Sequence, residues 1–241
     1  GKIELLPQPV HTPTPVPVIS EDQLPDRQMN ILLLGVDDFA ANGFRTDVIM
    51  LLSLNPKHNS ISLVSFPRDL YVTIPGYWSN RINTVWGLGG FELLADTFEV
   101  NFGIHPQYYM MVNYNGFRDV VNSLDGIDVV VTQELQDSCG RDASGWCIIK
   151  PGTVHMDGDM ALWYSRSRLT SSDFDRNRRA QEVVKAMFTK AMNLNMLPKV
   201  PELYGLYREY IDTNVQLLDI LPYLPLASEV MKTGNINQYA I

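Results

Sequence analysis

The strongest concentration of reactive side chains in this sequence is a run of arginines between residues 166 and 179. Five of the chain's twelve arginines fall there: Arg166, Arg168, Arg176, Arg178 and Arg179. Only Asp173 and Asp175 oppose them, so the stretch carries a net charge of +3. Guanidinium groups form bidentate hydrogen bonds with phosphate or carboxylate oxygens. The spacing predicts either a pocket for a strongly anionic group, such as a pyrophosphate, or a solvated helix surface that pairs with the chain's carboxylates.

Carboxylates and further arginines adjoin apolar runs that have the pattern of buried strands. Asp37 follows the first run, Arg45 and Asp47 open the second, and Arg68 follows the third. Ligand sites in open α/β sheets favour such strand ends, and carboxylates together with phosphate oxygens are typical Mg²⁺ ligands. Each fragment alone is more often a turn or an ion pair. Together they favour phosphoryl-transfer chemistry.

Hydrophobic periodicity predicts the scaffold that positions these groups. Strands are predicted over residues 29–36, 46–54, 60–66, 70–74, 107–114 and 127–132. Helices are predicted over residues 90–102, 115–124, 156–166, 175–194, 202–212 and 216–231. Because strands and helices alternate without a strict βαβ period, we expect a single α/β domain over residues 29–241. Its central mixed β-sheet is flanked by helices on both faces in an αβα sandwich.

Composition excludes several classes of function. The chain has 241 residues, a net charge of −8 and a pI near 4.9, which opposes non-specific binding to nucleic acid. No apolar run is long enough to span a membrane, and two cysteines and four scattered histidines do not form a zinc motif. The glycine-rich segment 87–90 predicts a flexible turn rather than a nucleotide-binding loop.

The N-terminal segment has a different composition. Residues 7–25 contain six of the fifteen prolines, which predicts an extended spacer over residues 1–28 or, with equal weight, a tail without a role. Because the chain begins at Gly1 without a methionine, we expect that a leader or anchor has been removed.

Cys139 and Cys147 enclose a short polar loop. This spacing favours a disulfide in an oxidising compartment over two free thiols.

Several motifs in order resemble the LytR–CpsA–Psr family of cell-envelope proteins. The resemblance is dense from residue 29 to about residue 195 and looser in the C-terminal helices. The motifs that carry it are Asn30–Asp37, Arg45–Asp47, Ser65–Val72, Ile74–Gly76, Arg81–Asn83, Asn113–Phe117, Gly126–Val129, Tyr164–Arg168 and Asp173–Arg179.

The resemblance implies a phosphotransferase on the outer face of the cytoplasmic membrane, anchored there by an N-terminal helix absent from this chain. Such proteins transfer a glycopolymer from a polyprenyl-pyrophosphate carrier to peptidoglycan through a phosphodiester. The implied partners are therefore the polyprenyl (pyro)phosphate lipid, peptidoglycan and the membrane, with no nucleic acid. The implied cofactor is Mg²⁺.

The resemblance also assigns roles to individual residues. Asp37 and Asp47 would hold Mg²⁺, and either Asp37 or Asp173 would be the base for the acceptor hydroxyl. The residues implied to contact the pyrophosphate are Arg45, Arg68, Arg81, Arg166, Arg168, Arg176 and Gln181. Family members often have Gly at the position of Asp175 and Gln at the position of Ala180, where this chain has its glutamine one residue later.

Three other functions stay open from the sequence. A carrier-binding or glycan-binding module would keep the same site without turnover. A transcriptional regulator would need to bind DNA, which the acidic charge opposes. A surface adhesion or solute-binding domain would use the arginines in ion pairs alone.

Overall fold

The computed structural model describes residues 28–37, 45–140, 144–167, 173–193, 205, 207–208, 210–233 and 236–241, without the side chains of residues 173, 174, 193 and 231. The predicted N-terminal spacer lies outside the described residues, except for Gln28.

The described residues contain twelve strands. They are β1 (Met29–Val36), β2 (Thr46–Asn55), β3 (Ser60–Phe66), β4 (Tyr71–Val72), β5 (Asn80–Arg81), β6 (Tyr108–Asn113), β7 (Ile127–Val131), β8 (Leu135–Ser138), β9 (Trp146–Ile149), β10 (Gly152–Met156), β11 (Ile211–Thr213) and β12 (Ile236–Ala240).

Six strands form the central sheet in the order β11-β6-β1-β2-β3-β12. β1 is antiparallel to β2 and parallel to β6, so the predicted mixed sheet is confirmed. β2 and β3 form a hairpin in the interior of the sheet, and β12 adds to β3 in parallel. Three pairs lie outside this sheet: β4 with β5, β7 with β10 and β8 with β9.

Six α-helices accompany the strands in the described part of the chain. They are α1 (Val85–Phe102), α2 (Tyr114–Ser123), α3 (Gly158–Arg166), α4 (Asp173–Asn193), α5 (Leu217–Ile220) and α6 (Leu224–Thr233). None of these helices combines the length and the apolar character needed to cross a bilayer.

Alternation along the strands sends apolar side chains to both faces of the sheet. Leu32 and Leu34 pack with Phe98 of α1 on one face. Ile31 packs with Leu226 and other residues of α6 on the opposite face, and α4 covers that face further along the sheet. The αβα arrangement is therefore confirmed.

A second core joins the helices that carry the arginines. Val129 of β7, Tyr164 of α3 and Val183 of α4 are buried together, with Val121 of α2 beside them. This cluster fixes α2, α3 and α4 against one another. The N-terminal cap of α3 is Asp157, whose side chain accepts a hydrogen bond from the Met160 amide.

The structure differs from the sequence prediction in several elements. α1 begins at Val85, before the predicted start, but its helical geometry is interrupted at Gly89 and Gly90, where Gly90 has a φ of 66°. The predicted strand 70–74 shrinks to β4. In the predicted helix 202–212, the described residues 205, 207, 208 and 210 are helical, whereas residues 211–212 belong to the strand β11. β12 was not predicted because its sequence, INQYA, is largely polar.

We predict that Gly158→Ala destabilises the protein. A Cβ at this position would lie 2.4 Å from the Arg118 carbonyl oxygen, and backbone of α2 cannot move away as a side chain would. The free energy of unfolding, measured by urea denaturation, should fall by about 1–3 kcal/mol. Gly140→Ala is the control, because no atom of the described residues lies within 4 Å of its added Cβ. Equal stability of the two variants would contradict the packing described here.

Candidate functional site

Three strand ends meet at one edge of the central sheet. The last residue of β1 pairs with Thr46, the first residue of β2, and with the last residue of β6. Asp37 follows β1, Tyr114 follows β6, and Asp47 follows Thr46. Strand register therefore places two carboxylates and a phenol side by side.

Asp47 is the centre of the resulting hydrogen-bond network. The Tyr114 hydroxyl donates to Asp47 Oδ2 at 2.9 Å and lies 3.5 Å from Asp37 Oδ1. Arg68, just beyond β3, donates from Nη1 to Asp47 Oδ1 at 2.5 Å. Both oxygens of Asp47 therefore accept hydrogen bonds, and the exposed Asp37 lies on the solvent side of this network.

A chain of ion pairs extends from Arg68 to the protein surface. Arg68 Nε lies 3.4 Å from Asp69 Oδ2, and Arg81 Nη1 lies 3.3 Å from Asp69 Oδ1. The exposed Arg81 is thus linked to the network without contacting Asp47.

Arg166 enters the site from the C-terminal end of α3. Its guanidinium carbon lies 3.9 Å from the centre of the Tyr114 ring, a cation–π contact that orients the planar group. The same tyrosine therefore donates to a carboxylate through its hydroxyl and supports an arginine on its face.

The two carboxyl groups differ in their acidity. Burial alone would raise the pKa of Asp47, but the hydrogen bonds from Arg68 and Tyr114 and the charge of Arg68 hold it below its usual value. Desolvation and the negative charge of Asp47 raise the pKa of Asp37. Burial and the bond to Asp47 also raise the pKa of Tyr114, so this phenol stays protonated.

A pocket of about 520 Å³ opens beside this network. Its lining comprises Asp47, Val48, Tyr114, Arg118, Asp137, Ser138, Asp159, Leu162, Trp163, Ser165, Arg166, Ser167 and Arg176. Asp159, Leu162, Trp163 and Arg166 recur at the three- and four-residue spacing of one face of α3.

The pocket has two chemically different ends. Arg166 and the buried Arg176 form a cationic end beside Asp47. At the other end, the Trp163 indole donates to the Ser138 carbonyl oxygen at 2.8 Å, and the lining includes the carboxylates of Asp137 and Asp159. Arg118 also lines this end and pairs with Asp159 at 2.8 Å. The first end suits an anion, and the second, with donors and acceptors beside an indole, suits a group rich in hydroxyls.

The wall at this second end is the β8–β9 hairpin. The structure contains a disulfide between Cys139 and Cys147, with Cα atoms 5.7 Å apart, at the turn end of this hairpin. A backbone hydrogen bond from the Cys139 amide to the Gly145 carbonyl closes the same turn. Ser138 is the residue before the bridge, so the disulfide restrains the pocket wall.

The arginine run divides into two groups with different surroundings. Arg178 donates to Thr132 Oγ1 at 2.5 Å and pairs with Glu182 at 2.7 Å. The buried Arg179 donates to the carbonyl oxygens of Tyr164 and Ser167, at 2.8 Å for the first. These two arginines therefore do not line the pocket, and Arg179 ties α4 to the end of α3.

The remaining predicted residues are dispersed. The amide of Gln181 is buried and donates to Ser65 Oγ at 2.7 Å and to the Tyr239 carbonyl at 2.6 Å, between β3 and β12, outside the pocket lining. Arg45 is exposed directly before β2 and does not line the pocket either. Arg168 and the side chain of Asp173 lie outside the described residues.

Sequence reasoning did not select Tyr114 and Trp163 as site residues. Tyr114 follows Asn113, which caps α2 by accepting a hydrogen bond from the Gly116 amide. Its position at a strand end, next to a helix cap, was a usable signal. Trp163 had no signal of its own, because an indole on an amphipathic helix more often belongs to the core.

Asp37 and Asp47 are the residues in the site that could hold a divalent cation. They offer adjacent hard oxygen donors, and Asp37 accepts no guanidinium hydrogen bond in the described contacts. This donor set fits Mg²⁺, which takes one or two protein carboxylates and keeps other positions for water and phosphate.

Comparison with known proteins finds the LytR_cpsA_psr family, whose sequence profile matches residues 9–240. The regulatory protein MsrR of Staphylococcus aureus (strain COL) is 33% identical over 193 residues, which cover 79% of this chain and 57% of MsrR. The polyisoprenyl-teichoic acid–peptidoglycan teichoic acid transferase TagT of Bacillus subtilis is 30% identical over 213 residues, covering 86% and 66%. This chain thus spans less than two thirds of the length of either relative.

Solved structures share the fold. The crystal structure of B. subtilis TagV matches with a TM-score of 0.77 and 27% identity, over 90% of this chain and 85% of TagV. A structure of TagT bound to LIIa-WTA matches with a TM-score of 0.68 and 26% identity, over 94% of this chain and 82% of that one.

We predict that Asp37→Asn stabilises the metal-free protein at neutral pH. Folding raises the pKa of Asp37, so its ionised form destabilises the folded state above the pKa of the unfolded chain. Because the group is exposed and screened, the gain at pH 7 should be about 0.5 kcal/mol, and it should vanish near pH 3. Urea unfolding in EDTA at both pH values measures it.

The control for this prediction is Asp119→Asn, an exposed carboxylate on α2 outside the site. It should leave the stability unchanged at both pH values. A loss of stability in Asp37→Asn at pH 7 would show that the carboxylate pair is not repulsive.

Proposed function

Since this chain belongs to the LytR–CpsA–Psr family, we propose that it is a phosphotransferase that transfers a glycopolymer from a polyprenyl-pyrophosphate carrier to peptidoglycan. The observation that carries the proposal is a pocket lined by Arg166, Arg176 and Asp47, where Asp47 also accepts a hydrogen bond from Arg68 and lies beside Asp37. The names of two relatives, TagT and the Bacillus mycoides TagU, describe teichoic acid transfer to peptidoglycan. Structures of TagT bound to LI-WTA and LIIa-WTA support a ligand of the same chemical class.

The cationic end of the pocket would bind the pyrophosphate. Arg166 is held by the Tyr114 ring and Arg176 is buried, so both guanidinium groups are oriented before the ligand arrives. Phosphoryl transfer depends mainly on positioning and on stabilising charge at the oxygens, which oriented arginines provide. Arg45, Arg81, Arg168 and Gln181 remain predicted contacts.

The opposite end of the pocket would receive sugar. Asp137 and Asp159 offer acceptors to hydroxyl groups, and Arg118, which pairs with Asp159, offers donors. The half-buried Trp163 offers a flat apolar surface to the ring of a saccharide. The division of the pocket therefore supports a substrate in which an anionic group is joined to a carbohydrate.

Asp37 and Asp47 would hold Mg²⁺ in this site. When bound, the ion would neutralise charge on the pyrophosphate oxygens. Arg68 and Tyr114 orient the Asp47 carboxylate for that role by occupying one lone pair on each of its oxygens.

The transfer itself needs an acceptor hydroxyl and a base. The hydroxyl oxygen of the peptidoglycan attacks the phosphorus attached to the glycan and forms the phosphodiester. The bond between that phosphorus and the bridging oxygen breaks, and polyprenyl phosphate leaves with the electron pair. A carboxylate, Asp37 or Asp173, takes the hydroxyl proton; desolvation and the charge of Asp47 raise the pKa of Asp37, which makes it a stronger base than a solvated aspartate.

The location of the protein forms part of the proposal. The carrier lipid resides in the membrane and peptidoglycan lies outside it, so we place the domain on the extracytoplasmic face of the cell membrane. The Cys139–Cys147 disulfide supports an oxidising compartment.

We predict that Arg166→Lys loses activity although the charge is kept. A lysine ammonium cannot stack on Tyr114 or form a bidentate contact. Cleavage of a short-chain prenyl pyrophosphate, followed by release of prenyl phosphate, should slow by about 100-fold. Arg178→Lys is the matched control, because this arginine contacts Thr132 and Glu182 instead of the pocket. Equal loss in both variants would contradict the assignment.

We also predict that removal of Mg²⁺ abolishes this cleavage but leaves lipid binding. Treatment with EDTA should stop release of prenyl phosphate, and added Mg²⁺ should restore it; Asp47→Asn should not be restored. Native mass spectrometry of the isolated protein measures bound polyprenyl phosphate. A wild-type protein that binds the lipid but never cleaves it would favour a carrier-binding module instead.

A further inference from the structure

The segment that follows Arg68 exposes several large apolar side chains at one place. We call the surface of Tyr71, Tyr77, Trp78 and Leu88 the aromatic patch. Trp78 is 89% exposed and Tyr71 is 69% exposed. Among the large apolar side chains of the described residues, Leu218 alone has an exposure between these two values. Such exposure costs free energy in water, so an aromatic patch of this kind indicates a contact surface.

The aromatic patch belongs to an ordered part of the fold. Tyr71 lies on β4 and pairs across the strands with Arg81 of β5. The Tyr77 amide donates to the Ile74 carbonyl at 3.0 Å, and its hydroxyl lies 3.5 Å from the Leu88 carbonyl. Val72, Ile74 and Ile82 beneath it are buried in the core.

The charge around the aromatic patch differs from that of the whole chain. Residues 70–91 contain one charged side chain, Arg81, and no carboxylate, although the chain has 27 acidic residues. Arg81 pairs with Asp69, which borders this segment, so the exposed aromatic rings lie on a surface of low net charge that is compatible with a lipid headgroup layer. Tyrosine and tryptophan favour that layer because one end of each side chain is apolar and the other is polar.

The aromatic patch is physically linked to the candidate site. Tyr71 is the cross-strand neighbour of Arg81, which pairs with Asp69 and, through it, with Arg68. A surface resting on lipid at Tyr71 would bring Arg68 close to the headgroup layer.

We propose that the aromatic patch is the surface by which this domain rests on a lipid bilayer, with Trp78 inserted among the headgroups. The membrane contact stands on the exposure and charge of the aromatic patch. Its purpose, presenting the site to a membrane-bound carrier, rests on the proposed function.

Vesicles of phosphatidylcholine without any polyprenyl lipid test the proposal. The wild-type protein should sediment with the vesicles, and brominated phosphatidylcholine should quench part of its tryptophan fluorescence. Trp78→Ala should lower the partition coefficient about tenfold and remove the quenching. Trp146→Ala, which removes another exposed tryptophan on β9, is the control and should leave both unchanged.

Three outcomes would overturn the proposal. Wild-type protein that does not partition into vesicles would do so, as would equal losses in Trp78→Ala and Trp146→Ala. A concentration-dependent dimer in sedimentation velocity that Trp78→Ala dissolves would assign the aromatic patch to a second copy of the chain. Because these vesicles hold no carrier, the result is independent of whether the protein cleaves a prenyl pyrophosphate.

Discussion

The partly buried charge of Asp47 is the constraint on which the candidate site depends. A carboxylate removed from water needs donors of its own, and otherwise folding would favour its protonated form. Arg68 follows β3 and Tyr114 follows β6. Residues at the ends of two other strands of the sheet therefore donate the hydrogen bonds that the Asp47 carboxylate needs. The register of the sheet therefore stabilises the ionised form of Asp47, and the hydrogen bonds to this carboxylate stabilise the register in return. Asp37 lies beside the negative charge of Asp47, which destabilises its own ionised form.

Arginines outside the pocket hold the arginines inside it. Arg179 gives up contact with solvent to bind two carbonyl oxygens at the end of α3, where burial lowers its pKa. Arg166 is the last residue of that helix, so its position above Tyr114 depends on the anchoring of the same turn. Within a single run of like charges, the fold thus separates arginines that anchor helices outside the pocket from arginines that line it.

Much of this arrangement was predictable, because strong hydrophobic runs define β1, β2 and β3 and a capping aspartate defines the start of α3. The strand β12 could not be predicted from the sequence, because it forms by pairing with the free edge of β3 and not through an intrinsic β propensity of its residues. Among site residues, carboxylates at strand ends could be selected from sequence because little else explains them there. Gln181 shows what could not be predicted from the sequence. The direction of its side chain depends on which face of α4 packs on the sheet, and that packing places the amide between β3 and β12.

The distribution of polar and apolar side chains along the site also indicates the direction in which the proposed ligand would lie. The aromatic patch and Arg81 lie on the Arg68 side of Asp47, whereas Trp163, Asp137 and the disulfide hairpin lie on the other side of the pocket. A ligand with a lipid tail, a pyrophosphate and a glycan presents the same three properties in the same order. An acidic protein can bind such an anion because the charge that the ligand meets is local. The net charge of −8 belongs to the whole chain, whereas residues 166–179 carry +3.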